Sequence, residues 1–203
     1  MPRYDAVGFD LLTALLDTLP LWRAAAGDDD IGTRWHAANQ RLLRGKPYRA
    51  FDELVHESAK EVGLERTNAT TLLSRWGEAQ PWSDVRKTLA AIGSTPRFIV
   101  TNCSQKLGER AAKQAGEFSF VMTAERAGAY KPDPRPYRAA LAEIGIEAKR
   151  VLFVAGSAHD VGGARRIGMD VYWANRLGAA PPDDAAPVVH AADLGGLSAL
   201  IDG

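Results

Sequence analysis

Short apolar runs alternate along this chain with longer stretches whose apolar positions recur every three or four residues. The runs occupy 6–9, ending at Asp10; 97–100, ending at Thr101 and Asn102; 118–122; 151–154, ending at Ala155 and Gly156; and 170–173. Continuous apolar runs of this length, bounded by turn formers, fit strands covered on both faces. Helical spacing marks 84–92 through Val85, Leu89 and Ile92, and 105–114 through Leu107 and Ala111. It returns at 134–144 with Tyr137, Leu141 and Ile144, at 160–167 with Val161, Ala164 and Ile167, and at 194–201. Strand and helix in alternation predict a parallel sheet wrapped by helices.

One segment breaks the rhythm. From about residue 18 to 80 no strand pattern is visible, and the helical candidates are 21–26, 31–43, 51–62 and 68–76. A stretch of that length between the first strand and the next α/β unit is an inserted helical subdomain rather than a crossover. Pro81 and Trp82 read as its return hinge, and 181–184 as a late loop.

Composition narrows the classes. The chain has 203 residues, enough for one domain with a modest insert and a sizeable core. Its 25 Lys and Arg balance 25 Asp and Glu, without the basic excess of a dedicated nucleic-acid binder. A single cysteine makes no internal disulfide and no thiolate metal cage, which suits a reducing compartment. The nearest approach to a leader or membrane span, 7–22, is interrupted by Asp10 and Asp17 and is too short to cross a bilayer. The expectation is a cytoplasmic protein that contacts neither membrane nor nucleic acid.

Ligands of an open parallel sheet bind beyond the carboxyl ends of its strands. There the sequence places Asp10, then Thr101 and Asn102, then Lys131 in the loop after the third strand, then Ser157 and Asp160. Two carboxylates, one ammonium and several hydroxyl or amide groups on one edge suit a carboxylate nucleophile held ionised by a lysine. Each member also has a structural reading. Asp10 can end a strand, and Asn102 or Ser104 can cap the following helix. Asp133 before Pro134 is an N-cap with proline at the first helical position. Ser157 to Asp160 forms a capping box, and Lys131 can be a solvated loop lysine.

The segments Ala6-Val7-Gly8-Phe9-Asp10, Ile99-Val100-Thr101-Asn102, Lys131-Pro132-Asp133-Pro134 and Val151-Leu152-Phe153-Val154-Ala155-Gly156 with Asp160 carry a resemblance. In order and spacing the chain resembles the haloacid dehalogenase superfamily of aspartate-nucleophile hydrolases over nearly its whole length. The stretches 126–137 and 160–164, with Tyr48-Arg49-Ala50-Phe51, are similar to its L-2-haloacid dehalogenase branch. The resemblance implies an α/β fold, a Rossmann-like doubly wound parallel core over 1–14 and 81–203, with a helical cap over 15–80 inserted in it. It implies that Asp10 displaces halide and that water hydrolyses the aspartyl ester. Lys131 would hold Asp10 ionised, Tyr137 would support the lysine, and Asp160 would place the water. Thr101 and Asn102 would bind the substrate carboxylate or leaving group, with Leu12 and Ser157 on the same site. The substrate would be a small organic acid, no cofactor would be required, and the branch often forms dimers through its cap.

The departures keep two alternatives in play. The superfamily's phosphatases carry a second aspartate two residues after the nucleophile, where this chain has Leu12, which neither donates nor accepts a proton. The hydroxyl expected at position 14 is replaced by Ala14, with Thr13 beside it. Ala155 and Ser157 stand where the dehalogenases have serine and asparagine. A Mg²⁺-dependent phosphatase would hold its metal on Asp10, Asp160 and the Leu12 carbonyl; a degenerate relative would bind a small anion or a partner without turnover. His36 falls where a cap arginine normally clamps the acid, with Arg34 and Arg41 as substitutes. His159 reads as an exposed first-turn histidine, Cys103 as a buried inert thiol, and Trp22, Trp35, Tyr48 and Phe51 as cap core.

Overall fold

The computed structural model describes residues 2–44, 47–183 and 185–203. Its strands, among the described residues, are β1 (Ala6–Phe9), β2 (Leu16–Asp17), β3 (Gln80–Pro81), β4 (Arg97–Thr101), β5 (Val121–Thr123), β6 (Val151–Ala155), β7 (Asp170–Ala174) and β8 (Val189–Ala191). Six of them form one sheet in the order β5-β4-β1-β6-β7-β8, every neighbouring pair parallel. The order reverses at β1, so the crevice where ligands bind in such sheets opens at the end of β1, where Asp10 stands.

The helices are α1 (Leu19–Ala26), α2 (Asp29–Leu42), α3 (Phe51–Glu61), α4 (Arg66–Arg75), α5 (Val85–Ala91), α6 (Gln105–Ala115), α7 (Ala124–Ala127), α8 (Pro134–Ile144), α9 (Ala158–Arg165) and α10 (Leu197–Asp202). The sheet's buried side chains divide between two apolar layers. Val7, Phe9, Ile99, Leu152, Val154 and Tyr172 join the larger one, which runs on into α1–α4, while Phe98, Val100, Phe153, Val171 and Trp173 pack with Tyr137 and Val161 on the other. Burial on both faces is why β1, β4, β6 and β7 read as continuous apolar runs.

Helices α1–α4 fill the interval between β2 and β3. The rings of Trp22 and Trp35 meet edge to face at 4.9 Å, and Trp22 meets Trp76 at 5.9 Å. Helix α2 crosses α1 at Gly32, where a Cβ would lie 2.4 Å from the Arg23 Cα. Asp28 caps α2 by accepting from the Ile31 N–H at 2.8 Å; this cap starts the helix two residues before the expected 31.

The structure differs from the sequence expectation in several places. The third strand begins at Val121 rather than 118, although Ser119 and Phe120 already exchange backbone hydrogen bonds with Arg97 and Ile99. Helix α9 starts at Ala158 because Ser157 caps it. The ribbon β2–β3, the edge strand β8 and the four-residue α7 are too short to leave a period in the sequence. The late-loop expectation reaches Asp184, which lies outside the described residues. No helix among the described residues is long and apolar enough to cross a membrane.

The chain leaves for the helical segment at β2 and returns at β3, and both crossings are tied to the sheet. The Trp82 indole donates to the Thr13 carbonyl at 3.0 Å. Arg176, just past β7, donates to Asp84 at 2.8 Å and to the Ala14 carbonyl at 3.2 Å, and lies over the Trp82 ring. Burial raises the Asp84 pKa, but the bonds from Arg176 and the Leu194 N–H bring it below the ordinary carboxylate value. A carboxylate with a depressed folded pKa contributes stability above its unfolded pKa and loses it as pH falls through the folded one. Arg176→Met is therefore expected to cost about 2–4 kcal/mol at pH 7, or roughly 5–15 °C in Tm. The gap to wild type should narrow below about pH 4 as Asp84 protonates; urea midpoints at pH 7 and pH 3 check both.

Candidate active site

Asp10 is fixed from both ends. Its backbone N–H donates to the Val154 carbonyl at 2.9 Å, which locks the end of β1 to β6. Its Oδ2 accepts the backbone N–H groups of Thr13 and Ala14, each at 3.1 Å, from the loop that curls back over the carboxylate. Its Oδ1 accepts the Lys131 ammonium at 2.7 Å. The same Nζ donates to Asp160 Oδ2 at 3.0 Å, and the Tyr137 hydroxyl donates to Asp160 Oδ1 at 2.9 Å. Asp10, Lys131 and Asp160 are 4%, 5% and 5% exposed, so this ion triad works in a low dielectric where its pairing is obligatory.

Local sequence explains each position. Asp10 and Asp160 follow the adjacent strands β1 and β6. The Ser157 hydroxyl caps α9 through the Asp160 N–H at 3.3 Å, which sets Asp160 in the first helical turn. Lys131 precedes a cis peptide bond to Pro132 and lies just before α8, which Asp133 caps and Pro134 opens. Asn102 holds this loop by a reciprocal pair: its Oδ1 accepts the Lys131 N–H at 2.7 Å and its Nδ2 donates to the Lys131 carbonyl at 3.0 Å. Gly156 passes so close to the carboxylate that a Cβ there would lie 2.5 Å from the Ala14 nitrogen and 2.6 Å from Asp10 Oδ2.

Burial pushes both carboxyl pKa values up, and the neighbours then separate them. For Asp10 the Lys131 ammonium and the two backbone N–H groups outweigh burial and hold it below the ordinary carboxylate range. For Asp160 burial and the charge of Asp10 outweigh Lys131, so its pKa is raised. Burial alone would lower Lys131, but the two carboxylates raise it, and it stays charged. A pair of carboxyls driven apart in this way is suited to one acting as nucleophile and the other as proton acceptor.

A cavity of about 70 Å³ opens on this triad, walled among others by Leu12, Asn102, Ser157 and His159. Of the residues singled out in the sequence, Asp10, Leu12, Asn102, Lys131, Ser157 and Asp160 therefore gather on one cavity. Thr101 and Tyr137 do not line it. Thr101 is fully buried at the end of β4, its hydroxyl without a hydrogen bond among the described residues. Tyr137 is fully buried behind Asp160 and bonds that carboxylate rather than Lys131. The amide of Asn102 is spent on the Lys131 backbone. The backbone N–H of Ala14, not a side chain, meets Asp10, so the hydroxyl missing from position 14 removes neither of these bonds. Ala155 lies in the apolar layer with Phe153.

On the helical side the expected residues give way to others. His36 packs on the Trp22 ring at 5.3 Å, and burial lowers its pKa to about 4, so it carries no charge near neutrality. Arg41 pairs with Glu61, and Arg34 is exposed; none of the three lines the cavity. Arg44 and Gln40 do, and among the described residues the Arg44 side chain has neither ion pair nor hydrogen bond. Arg44 lies in the turn just after α2, beyond the reach of the helical period that His36 obeys, so the sequence carried no signal for it. Cys103 is fully buried and burial raises its pKa, consistent with an inert thiol. His159 is exposed at the cavity wall.

Among the described residues no three His, Cys, Asp or Glu side chains group as metal ligands. The Lys131 ammonium already bridges Asp10 and Asp160, and the remaining oxygen of each accepts a backbone or tyrosine proton. These residues do not fit a metal held between the two carboxylates.

Known proteins resemble this chain in sequence and in fold. Residues 7–168 match the family model described as haloacid dehalogenase-like hydrolase. Haloacetate dehalogenase H-2 of Moraxella sp. (strain B) is 27% identical over 94% of this chain and 97% of its own length. (S)-2-haloacid dehalogenase H-109 of Pseudomonas putida is 30% identical over 74% of this chain and 73% of its own. The fold is shared with an L-2-haloacid dehalogenase from Xanthobacter autotrophicus solved with chloropropionic acid covalently bound, at a TM-score of 0.88 and 21% identity over 98% of this chain and 99% of that one.

Proposed function

Because this chain belongs to the haloacid dehalogenase-like hydrolases, whose family model spans residues 7–168, we propose that it hydrolyses 2-haloacids through an ester on Asp10. The observation that carries this reading is the division of labour between the two Asp10 oxygens. Oδ2 rests on two backbone N–H groups, and Oδ1 faces the Lys131 ammonium. A carboxylate held ionised in a dry site is a strong nucleophile.

In the first step an Asp10 oxygen attacks C2 of the substrate. The C–O bond forms as the carbon–halogen bond breaks, and halide leaves with the bonding pair. The developing ester gives up negative charge, and Lys131 keeps the site balanced by its second contact with Asp160. In the second step water attacks the side-chain carbonyl carbon of Asp10, and Asp160 accepts its proton. The oxyanion forms on Oδ2, where the Thr13 and Ala14 N–H groups stabilise it as an oxyanion hole. As this intermediate collapses the ester C–O bond breaks, Asp160 returns its proton to the departing alkoxide oxygen so that the 2-hydroxyacid leaves, and the acid proton left on Asp10 passes to solvent, restoring the carboxylate. Leu12, half-buried on the cavity wall, supplies no proton to a leaving alcohol, which argues against phosphoester hydrolysis. No step needs a metal. Arg44 serves as the clamp for the substrate carboxylate, a role for which a planar guanidinium is suited.

Wild type should release chloride from L-2-chloropropionate at an undiminished rate in EDTA, whereas Asp10→Asn should release none. Activity that survives in Asp10→Asn, or that needs added Mg²⁺, overturns the mechanism. A protonated Asp160 cannot accept a proton from the attacking water, so ester hydrolysis should slow relative to halide displacement as pH falls. Rapid acid quench and intact-mass measurement should then find the Asp10 ester accumulating at low pH and absent near neutrality. Loss of a charged hydrogen-bonding partner costs about 1.5–3 kcal/mol. Arg44→Ala should thus raise KM for the haloacid about 10- to 150-fold and change kcat less, as steady-state kinetics will read.

A further inference from the structure

The reaction cavity does not end at the triad. A second, larger cavity of about 350 Å³ shares Leu43, Arg44, Lys131, Pro132 and His159 with it, so the two meet at a common wall. The inner one, at about 70 Å³, has room for the reacting carbon and its leaving group. The outer one exceeds the roughly 150 Å³ in which a buried apolar cavity holds benzene.

The outer wall combines an apolar side, made by Leu43, Tyr48, Ala129, Tyr130 and the two prolines, with a charged rim that includes Asp133, Arg135 and Arg166. Tyr48 and Tyr130 contribute rings whose centroids lie 5.1 Å apart, and the Tyr130 hydroxyl is spent on the Arg49 carbonyl at 2.8 Å. Ala129 and Pro134 add only apolar side-chain carbon, and neither proline of the loop has an N–H to offer. Arg135 pairs with Asp133. Arg44 stands at the wall common to both cavities with its guanidinium unpaired among the described residues. A ligand that satisfies this arrangement carries a carboxylate at the junction, a reactive carbon on the triad side and an apolar group on the outer side.

Resting on the dehalogenase reading above, we infer that the preferred substrate is a 2-haloacid whose C2 substituent is an alkyl chain of four carbons or a phenyl ring, lodged against Tyr48 and Tyr130. Haloacetate and 2-halopropionate leave this chamber empty. Each methylene that enters it should raise kcat/KM about two- to fourfold, the range set by partial to full burial of one CH₂.

The test is a series of 2-bromo acids with propionate, butyrate, hexanoate and phenylacetate skeletons. It is run in parallel with calorimetric binding of propionate, hexanoate and phenylacetate themselves. The expected result is kcat/KM rising from 2-bromopropionate to 2-bromohexanoate, and hexanoate binding more tightly than propionate. Tyr48→Ala, which removes a ring of the outer wall, and His159→Trp, which places bulk at an exposed position of the shared wall, should each flatten the series. A wild-type series that is level or falls with chain length overturns the inference. If no bromo acid is turned over, the dehalogenase reading fails on its own; the chamber then stands on tighter hexanoate binding that Tyr48→Ala abolishes, and falls if propionate and hexanoate bind alike.

Discussion

One ammonium held between two carboxylates, all three removed from water, sets the terms for the rest of this molecule. Lys131 alone separates the charges of Asp10 and Asp160, and without it one of them would have to be neutral. Its position is dictated from three directions. The reciprocal Asn102 bonds fix its backbone to the end of β4, the Phe153 ring lies 5.6 Å from its Nζ, and the two carboxylates take its protons. The sheet order supplies the geometry, since β1 and β6 are neighbours and present Asp10 and Asp160 side by side, while β4 on the other side of β1 presents Asn102. The fold and the site are in this sense one constraint: parallel strands in this order bring the three loops together.

The second requirement is a stable seam where the chain leaves the sheet and returns. Trp82 and Arg176, the latter held by Asp84, donate to carbonyl oxygens of the loop after β1, while its N–H groups are turned to the Asp10 carboxylate. The loop therefore has its donors on the site and its acceptors on the scaffold. That leaves its side chains largely free of the work, which fits a loop that carries Leu12 and Ala14 beside Asp10.

Much of this was legible before any coordinates. The buried strands announced themselves as apolar runs, and the four helices of the insert as periodic stretches, because each signal spans enough residues to average out exceptions. Asp10, Lys131 and Asp160 were legible because strand ends and parallel topology place them on one edge. What was not legible has physical causes. Tyr137 sits at helical spacing like any core residue, and only the coordinates reveal its hydroxyl against Asp160. Thr101 stands next to Asn102 in sequence, but neighbours at the end of a strand point to opposite sides, so one lines the cavity and the other does not. Arg44 was not legible because the resemblance points to His36 at that place, whose ring is instead taken up by Trp22.

Both groups that touch Asp160 come from one continuous stretch, residues 131–137, running from the lysine through the cis proline into the first turn of α8. Inheritance should treat that stretch as a cassette. A recombination breakpoint on either side of it would carry the ammonium and the phenol together into a new background, whereas a breakpoint within it would pair a lysine with a foreign tyrosine register. Shuffled libraries of such chains would keep their chemistry more often when crossovers avoid this interval, provided that the loops carrying Asp10, Asn102 and Asp160 are kept.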